Sequence, residues 1–212
     1  MASRQWRHRA EDHVHVVQRI ARFVKRRAGH DHLALVFADR CTVGKKDATV
    51  GRERWIKRDI QQYYAKAFEV VSQMYQSSPP PPGMSGSQYE RQHKGVQHLT
   101  EHFHEAPVWI VACIDHGGRP GPATGASIYP AVQNVLLAAR ALGLGATLTT
   151  RHTMFAAEVD AILGLPENVT ALAIVPIGYP DRGFSRVRRG PIEEVVYQDR
   201  WGEPYTDLVS EA

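Results

Sequence analysis

The residues best suited to chemistry fall into a few short stretches. His98 and His102, within HLTEH, stand four apart, with Glu101 and Glu105 close by. That spacing puts two imidazoles on one helix face, where they could share a metal ion. A zinc-protease helix carries its Glu directly after the first His, however, and Leu99 holds that place here. The stretch therefore reads as a solvated, histidine-rich helix. Arg186, Arg188 and Arg189 form an RVRR cluster. Guanidinium groups suit phosphate because they donate paired, charge-assisted hydrogen bonds; standing alone, such a cluster reads as a surface patch. Leu148-Thr149-Thr150 closes GLGATLTT. It is either a strand offering backbone N–H and C=O groups to a flat polar ligand, or a core strand after a helix stop. The GLG is no dinucleotide fingerprint, since it follows a helix and Leu148 stands where the third glycine belongs. Gly44-Lys45-Lys46 fails as a phosphate loop. Asp39 replaces the motif's first Gly, and no Ser or Thr follows the lysine. Cys113, inside VWIVACI, reads as an inert core thiol, and nothing near Cys41 assigns it a role. No side chain stands out as a catalytic acid, base or nucleophile.

The elements that must position these residues are legible from periodicity. From Ser127 to Leu142, Ala131, Val135, Leu136, Ala138, Ala139 and Leu142 recur at helical spacing. Pro130 reads as a first-turn residue, and Gly143 and Gly145 as the stop. This helix is apolar on most sides, so it belongs in a domain centre or at a subunit interface. Further helices are predicted over 13–27, 52–76, 88–105 and 156–163. Strands are predicted over 32–38, 108–114, 146–150 and 169–179. SSPPPPGMSG at 77–86 is an extended connector. Helices alternating with buried strands give an α/β or α+β domain, its sheet mixed or antiparallel and covered on both faces.

Composition sets the outer bounds. The chain has 212 residues, two cysteines and a net charge of +4. So few cysteines, far apart, make neither a disulfide framework nor a zinc set, and a reducing, cytoplasmic compartment is expected. No apolar run is long enough to span a membrane, and the N-terminus is too charged for a secretory signal. Residues 1–58 hold 15 Lys and Arg against 6 Asp and Glu, a balance of +9, whereas residues 59–212 carry −5. A basic arm can meet nucleic acid, but a solvated helix face or tail is the expected reading.

Three segments line up with a known family: QNVLLAARALGLGATLTT, VDAILGLPENVTALAIVPIGYP and RRGPIEEVVYQDRWG, in that order. With HFHEAPVWIVACID they resemble the nitroreductase family of FMN-dependent oxidoreductases, particularly its actinobacterial-type members, over about residues 88 to 202. The resemblance implies an α+β fold with a mixed central sheet flanked by helices. It also implies an intertwined homodimer in which the apolar helix packs on its twin, with FMN at the subunit interface. Carried over, Leu148, Thr149 and Thr150 lie beside the flavin ring, and Arg188 and Arg189, with Arg186 nearby, meet the FMN phosphate. NADH or NADPH would supply hydride in a ping-pong cycle that reduces a nitroaromatic, quinone or similar acceptor. No catalytic side chain and no metal are implied.

The N-terminal third departs from this pattern. The family's Arg-Ser-x-Arg-like element and its Pro-Ser-Gly-x-Asn-x-Gln-Pro-Trp-like loop are both missing. Residues 1–51 therefore read as an atypical basic segment ahead of a nitroreductase-like domain at 52–212. Losing two or three hydrogen bonds to charged groups, each about 1.5–3 kcal/mol, would weaken cofactor binding by orders of magnitude. The alternative expectation is a flavin-poor binding protein that keeps the family core.

Overall fold

A computed structural model describes residues 33–39, 49–81, 83–118, 121, 123–184 and 190–204. Its strands are β1 (Leu33–Asp39), β2 (Val108–Asp115), β3 (Gly145–Ala146) and β4 (Val169–Gly178). Its helices are α1 (Thr49–Ser77), α2 (Gly86–His102), α3 (Ala123–Ala141) and α4 (Ala156–Leu163). The helix expected over 13–27 lies outside the described residues.

The sheet order is β1-β2-β4-β3, and every pairing is antiparallel. The parallel strand that a mixed sheet needs is not among the described residues. Alternation along β2 sorts the core into two layers. Val108, Ile110 and Ala112 face α3, meeting Ile128, Val132, Val135 and Ala139. Trp109, Val111 and Cys113 face the other way, toward Ile60 and Tyr64 of α1, Val159 of α4 and Phe103. Seven of the eight β2 residues are buried, all but Asp115, which is why VWIVACI is a continuous apolar run instead of an alternating one. Burial pushes the Cys113 thiol up to about 12, so it stays protonated in the core.

Two devices fix the chain around this sheet. Ser85 and Gln88 close a capping box that starts α2 just after the proline run. At the end of α3, Gly143 takes a left-handed φ of 75°. The Leu144 N–H then reaches back to the Ala139 carbonyl at 2.9 Å, a bond that side chains with a Cβ strain to permit.

Pro130 departs from its expected place. α3 begins a turn earlier than the periodicity suggests, because Thr124 caps the Gly121 turn through both its N–H and its hydroxyl. Pro130 is therefore an interior residue of the helix, where it leaves the Ala126 carbonyl without an i+4 donor.

Lys57 is the unexpected member of the core. It is 4% exposed, and its Nζ donates to the carbonyls of Ala106 and Pro107, each at 3.0 Å. Those carbonyls end the short 3-10 turn Phe103–Glu105 and lead into β2. The ammonium also lies 5.6 Å from the centre of the Trp109 ring.

Candidate functional site

The stretch from Gly145 to His152 is where the fold gathers its polar groups. Gly145 pairs with Gly178 and Ala146 with Ile177. The ladder then lapses and returns at Thr149 opposite Ile174. Each pair sums to the same register, so β3 has not slipped. Its middle is opposite Pro176, which has no N–H to give. On β4 the residues Ile174, Pro176 and Gly178 point the same way, toward β3, so proline stands where Thr147 would find a donor.

Thr149 is tied down completely. Its N–H donates to the Ile174 carbonyl at 3.1 Å, and its own carbonyl accepts from the Ile174 N–H at 3.0 Å. Its hydroxyl donates to the Ile174 carbonyl at 2.5 Å and accepts from the buried Tyr64 hydroxyl. Burial raises the Tyr64 pKa; the Thr149 hydrogen bond, the Arg151 charge and the His152 backbone oppose that rise. Thr149 thus spends its polar groups inside the fold. Leu148, by contrast, is 37% exposed. Among the described residues, the backbone N–H groups of Leu148, Thr150 and Arg151 find no acceptor. Thr150 and Arg151 owe this to geometry, since they open the 3-10 turn Arg151–Phe155, whose first donors have no partner within the turn.

Arg151 brings charge to the same place. Its Nη1 donates to the Thr100 hydroxyl of α2 at 3.1 Å, and its guanidinium lies 5.1 Å from the centre of the Phe68 ring on α1. No carboxylate pairs with it among the described residues, and burial lowers its pKa. His152 follows, wholly buried. Its Nε2 lies 3.0 Å from the Ala171 carbonyl, so that nitrogen carries the proton. Its Nδ1 has no hydrogen-bond partner among the described residues, and its ring stacks on Tyr64 at 6.1 Å.

Burial depresses the His152 pKa below 6.5. The unfolded chain therefore binds a proton that the native chain refuses, and stability falls as pH drops from 6.5 toward the native value. Urea titrations between pH 7.5 and pH 5.5 should lose stability with a slope contribution of up to about 1.4 kcal/mol per pH unit from this group. In His152→Leu that contribution disappears; an unchanged slope would exclude His152 as its source.

The other sequence candidates fall elsewhere. Arg188 and Arg189 lie outside the described residues. His98 and His102 stand on α2 with ring centres 4.4 Å apart, and the His102 Nδ1 meets the Glu105 carboxylate at 3.1 Å. Among the described residues no three His, Cys, Asp or Glu side chains are placed to hold a metal ion. These histidines instead line an open groove of about 360 Å³ with Phe103, Thr147, Tyr179 and Asp181. Sequence reading missed Arg151 and His152 altogether. The one available signal was a basic pair set between a strand and a short helix, which periodicity does not weigh.

An antiparallel sheet with α3 on one face and α1, α2 and α4 on the other, and a polar 3-10 turn at the end of its edge strand, defines an α+β protein. The Nitroreductase family model matches residues 23–179, and the chain belongs to that family. The match enters the basic segment 1–51 and stops before RRGPIEEVV. The chain is 39% identical over 71 residues to an NADPH-flavin oxidoreductase of Vibrio harveyi, a stretch covering 34% of this chain and 30% of that protein. It is 36% identical over 81 residues to a protein of Methanothermobacter thermautotrophicus described as a putative NADH dehydrogenase/NAD(P)H nitroreductase, covering 36% and 41%. The matched stretches thus span less than half the length of either curated relative. The crystal structure of an FMN- and NADPH-dependent nitroreductase from Sphigopyxis sp. strain HMH superposes with a TM-score of 0.53 at 18% identity, covering 93% of this chain and 94% of that one. At that identity the likeness speaks for the fold.

Proposed function

We propose that the chain is an FMN-dependent NAD(P)H oxidoreductase acting on nitroaromatic, quinone or similar acceptors by ping-pong hydride transfer. The observation that carries this reading is the donor set at the β3 end: three backbone N–H groups that find no acceptor among the described residues, beside a guanidinium that meets no carboxylate among them. Such a set favours an electron-rich, negatively charged ring edge and fits a reduced flavin. Bound FMN would supply the chemistry, taking hydride from the nicotinamide and passing electrons to the acceptor.

The chain's own residues hold and orient. Leu148 presents an apolar surface and an N–H with no acceptor among the described residues, and Thr150 and Arg151 add donors at the start of the 3-10 turn. Thr149 acts from behind, locking the segment to Ile174 and Tyr64. Arg188 and Arg189 are assigned to the FMN phosphate on the family resemblance, and no side chain is assigned as a proton donor. A homodimer is supported by the outer face of α3, where Tyr129 is 37% and Leu137 57% exposed beside Ala126, Pro130 and Ala141. No described helix is long and apolar enough to cross a membrane, and the cysteine usage favours a cytoplasmic setting.

Flavin titration tests the reading. FMN fluorescence should quench saturably at a Kd of about 1 μM or below. Arg189→Ala should weaken binding by about 10–100-fold, the worth of one charge-assisted hydrogen bond. Absence of quenching at high micromolar protein would replace this reading with the flavin-poor relative, which the missing N-terminal motifs favour.

A further inference from the structure

We propose that His98 and His102 chelate a late divalent transition metal through one ring nitrogen each, with Cu2+ held most tightly. Both stand in the last turns of α2, four residues apart, a spacing that puts the two side chains on one helix face. His98 is exposed and His102 half-buried, so a hydrated ion can reach them. The site stands whether or not the chain binds flavin.

The geometry is that of a shared ion. The two ring centres lie 4.4 Å apart. A metal about 2.0 Å from a ring nitrogen lies about 3.1 Å from that ring's centre, so two imidazoles meeting it at a right angle have centres about 4.4 Å apart. Glu105 sets the second ring for this task. Its carboxylate meets the His102 Nδ1 at 3.1 Å. A carboxylate only accepts, so Nδ1 carries the proton and the lone pair of the neutral ring lies on Nε2. A carboxylate behind a histidine in this way orients the ring and makes it a better ligand. His93, on the same helix, is employed differently: its ring stacks on Phe68 at 5.5 Å, and its Nε2 meets the Ser72 hydroxyl at 3.3 Å.

Two imidazoles also select the ion. Mg2+ and Ca2+ take oxygen ligands. Structural zinc takes four protein ligands, and no third His, Cys, Asp or Glu joins this pair among the described residues. Cu2+ stands highest in affinity for such donors and accepts a tetragonal set of nitrogen and oxygen. Water fills its other positions, and the groove that both rings line gives it room.

Calorimetry on the full, untagged chain with copper, nickel, zinc and magnesium salts tests this. The parent should show a Cu2+ site of about 1–10 μM that is missing from His98→Gln and from His102→Gln. Nickel and zinc should bind there about 10-fold or more weakly, and magnesium not at all. Glu105→Gln should weaken copper by about 10-fold, and His93→Gln should leave it unchanged. The copper spectrum of the site, read by electron paramagnetic resonance as parent minus His98→Gln, should carry the splitting of two nitrogens. Variants that keep every copper site of the parent, a difference spectrum with a single nitrogen, or magnesium binding as tightly as copper would each overturn the proposal.

Discussion

Lys57→Met should lower the free energy of unfolding by about 3–5 kcal/mol in urea or guanidinium titrations. Methionine keeps most of the buried stem, so the loss isolates the ammonium. Without it, the carbonyls of Ala106 and Pro107 have lost a donor at 3.0 Å each, in a place where Trp109 and Phe103 exclude water. Each bond to a charged donor is worth about 1.5–3 kcal/mol, and a buried carbonyl left bare costs most of that. The damage should concentrate where β2 begins, because those carbonyls hand the chain from the 3-10 turn to the strand. A loss below about 1 kcal/mol would mean that Lys57 is a spectator.

Thr149→Val should cost about 2–4 kcal/mol, and Tyr64→Phe only about 0.5–1.5. The two are unequal because Thr149 is the middle of a relay. Removing its hydroxyl strands the Tyr64 O–H and also takes a donor from the Ile174 carbonyl. Removing the Tyr64 hydroxyl leaves the Thr149-to-Ile174 bond intact. In the double variant no buried donor is left stranded at Tyr64, so its cost should fall below the sum of the singles by about 0.5–2 kcal/mol. Strict additivity would mean that the two hydroxyls do not share a hydrogen bond in solution. The relay also bears on function, since it holds the segment on which the proposed flavin contacts depend. Thr149→Val should therefore weaken FMN along with stability.

The sequence made some of this legible and hid the rest for identifiable reasons. α4 was bounded at 156–163 because a small-residue apolar repeat runs into Gly164, whose left-handed φ of 66° ends it. The buried β2 was plain because a strand covered on both faces shows no polar alternation. The start of α3 was misplaced because the cap that sets it, Thr124 on the Gly121 turn, precedes any apolar periodicity. β3 was expected over 146–150, yet only Gly145–Ala146 and the Thr149 bridge pair. The cause lies 29 residues after Thr147, at Pro176, and no local pattern reports it. At the site, the family resemblance pointed to Leu148, Thr149 and Thr150. It could not divide them, because whether a backbone N–H faces outward or is used by Ile174 is a tertiary matter. Tyr64 read as one more aromatic on a helical face; its hydroxyl partner lies 85 residues away.

Pro176 also bears on how the edge of the sheet behaves in time. β3 is stitched to β4 at Gly145 and again at Thr149, with a dropped stitch between. A strand held only at its ends can bow, and its middle amides can trade protons with solvent while those at either end stay shielded. The imino acid thus installs a small zone of slack directly behind Leu148, on a scaffold that is otherwise stiff.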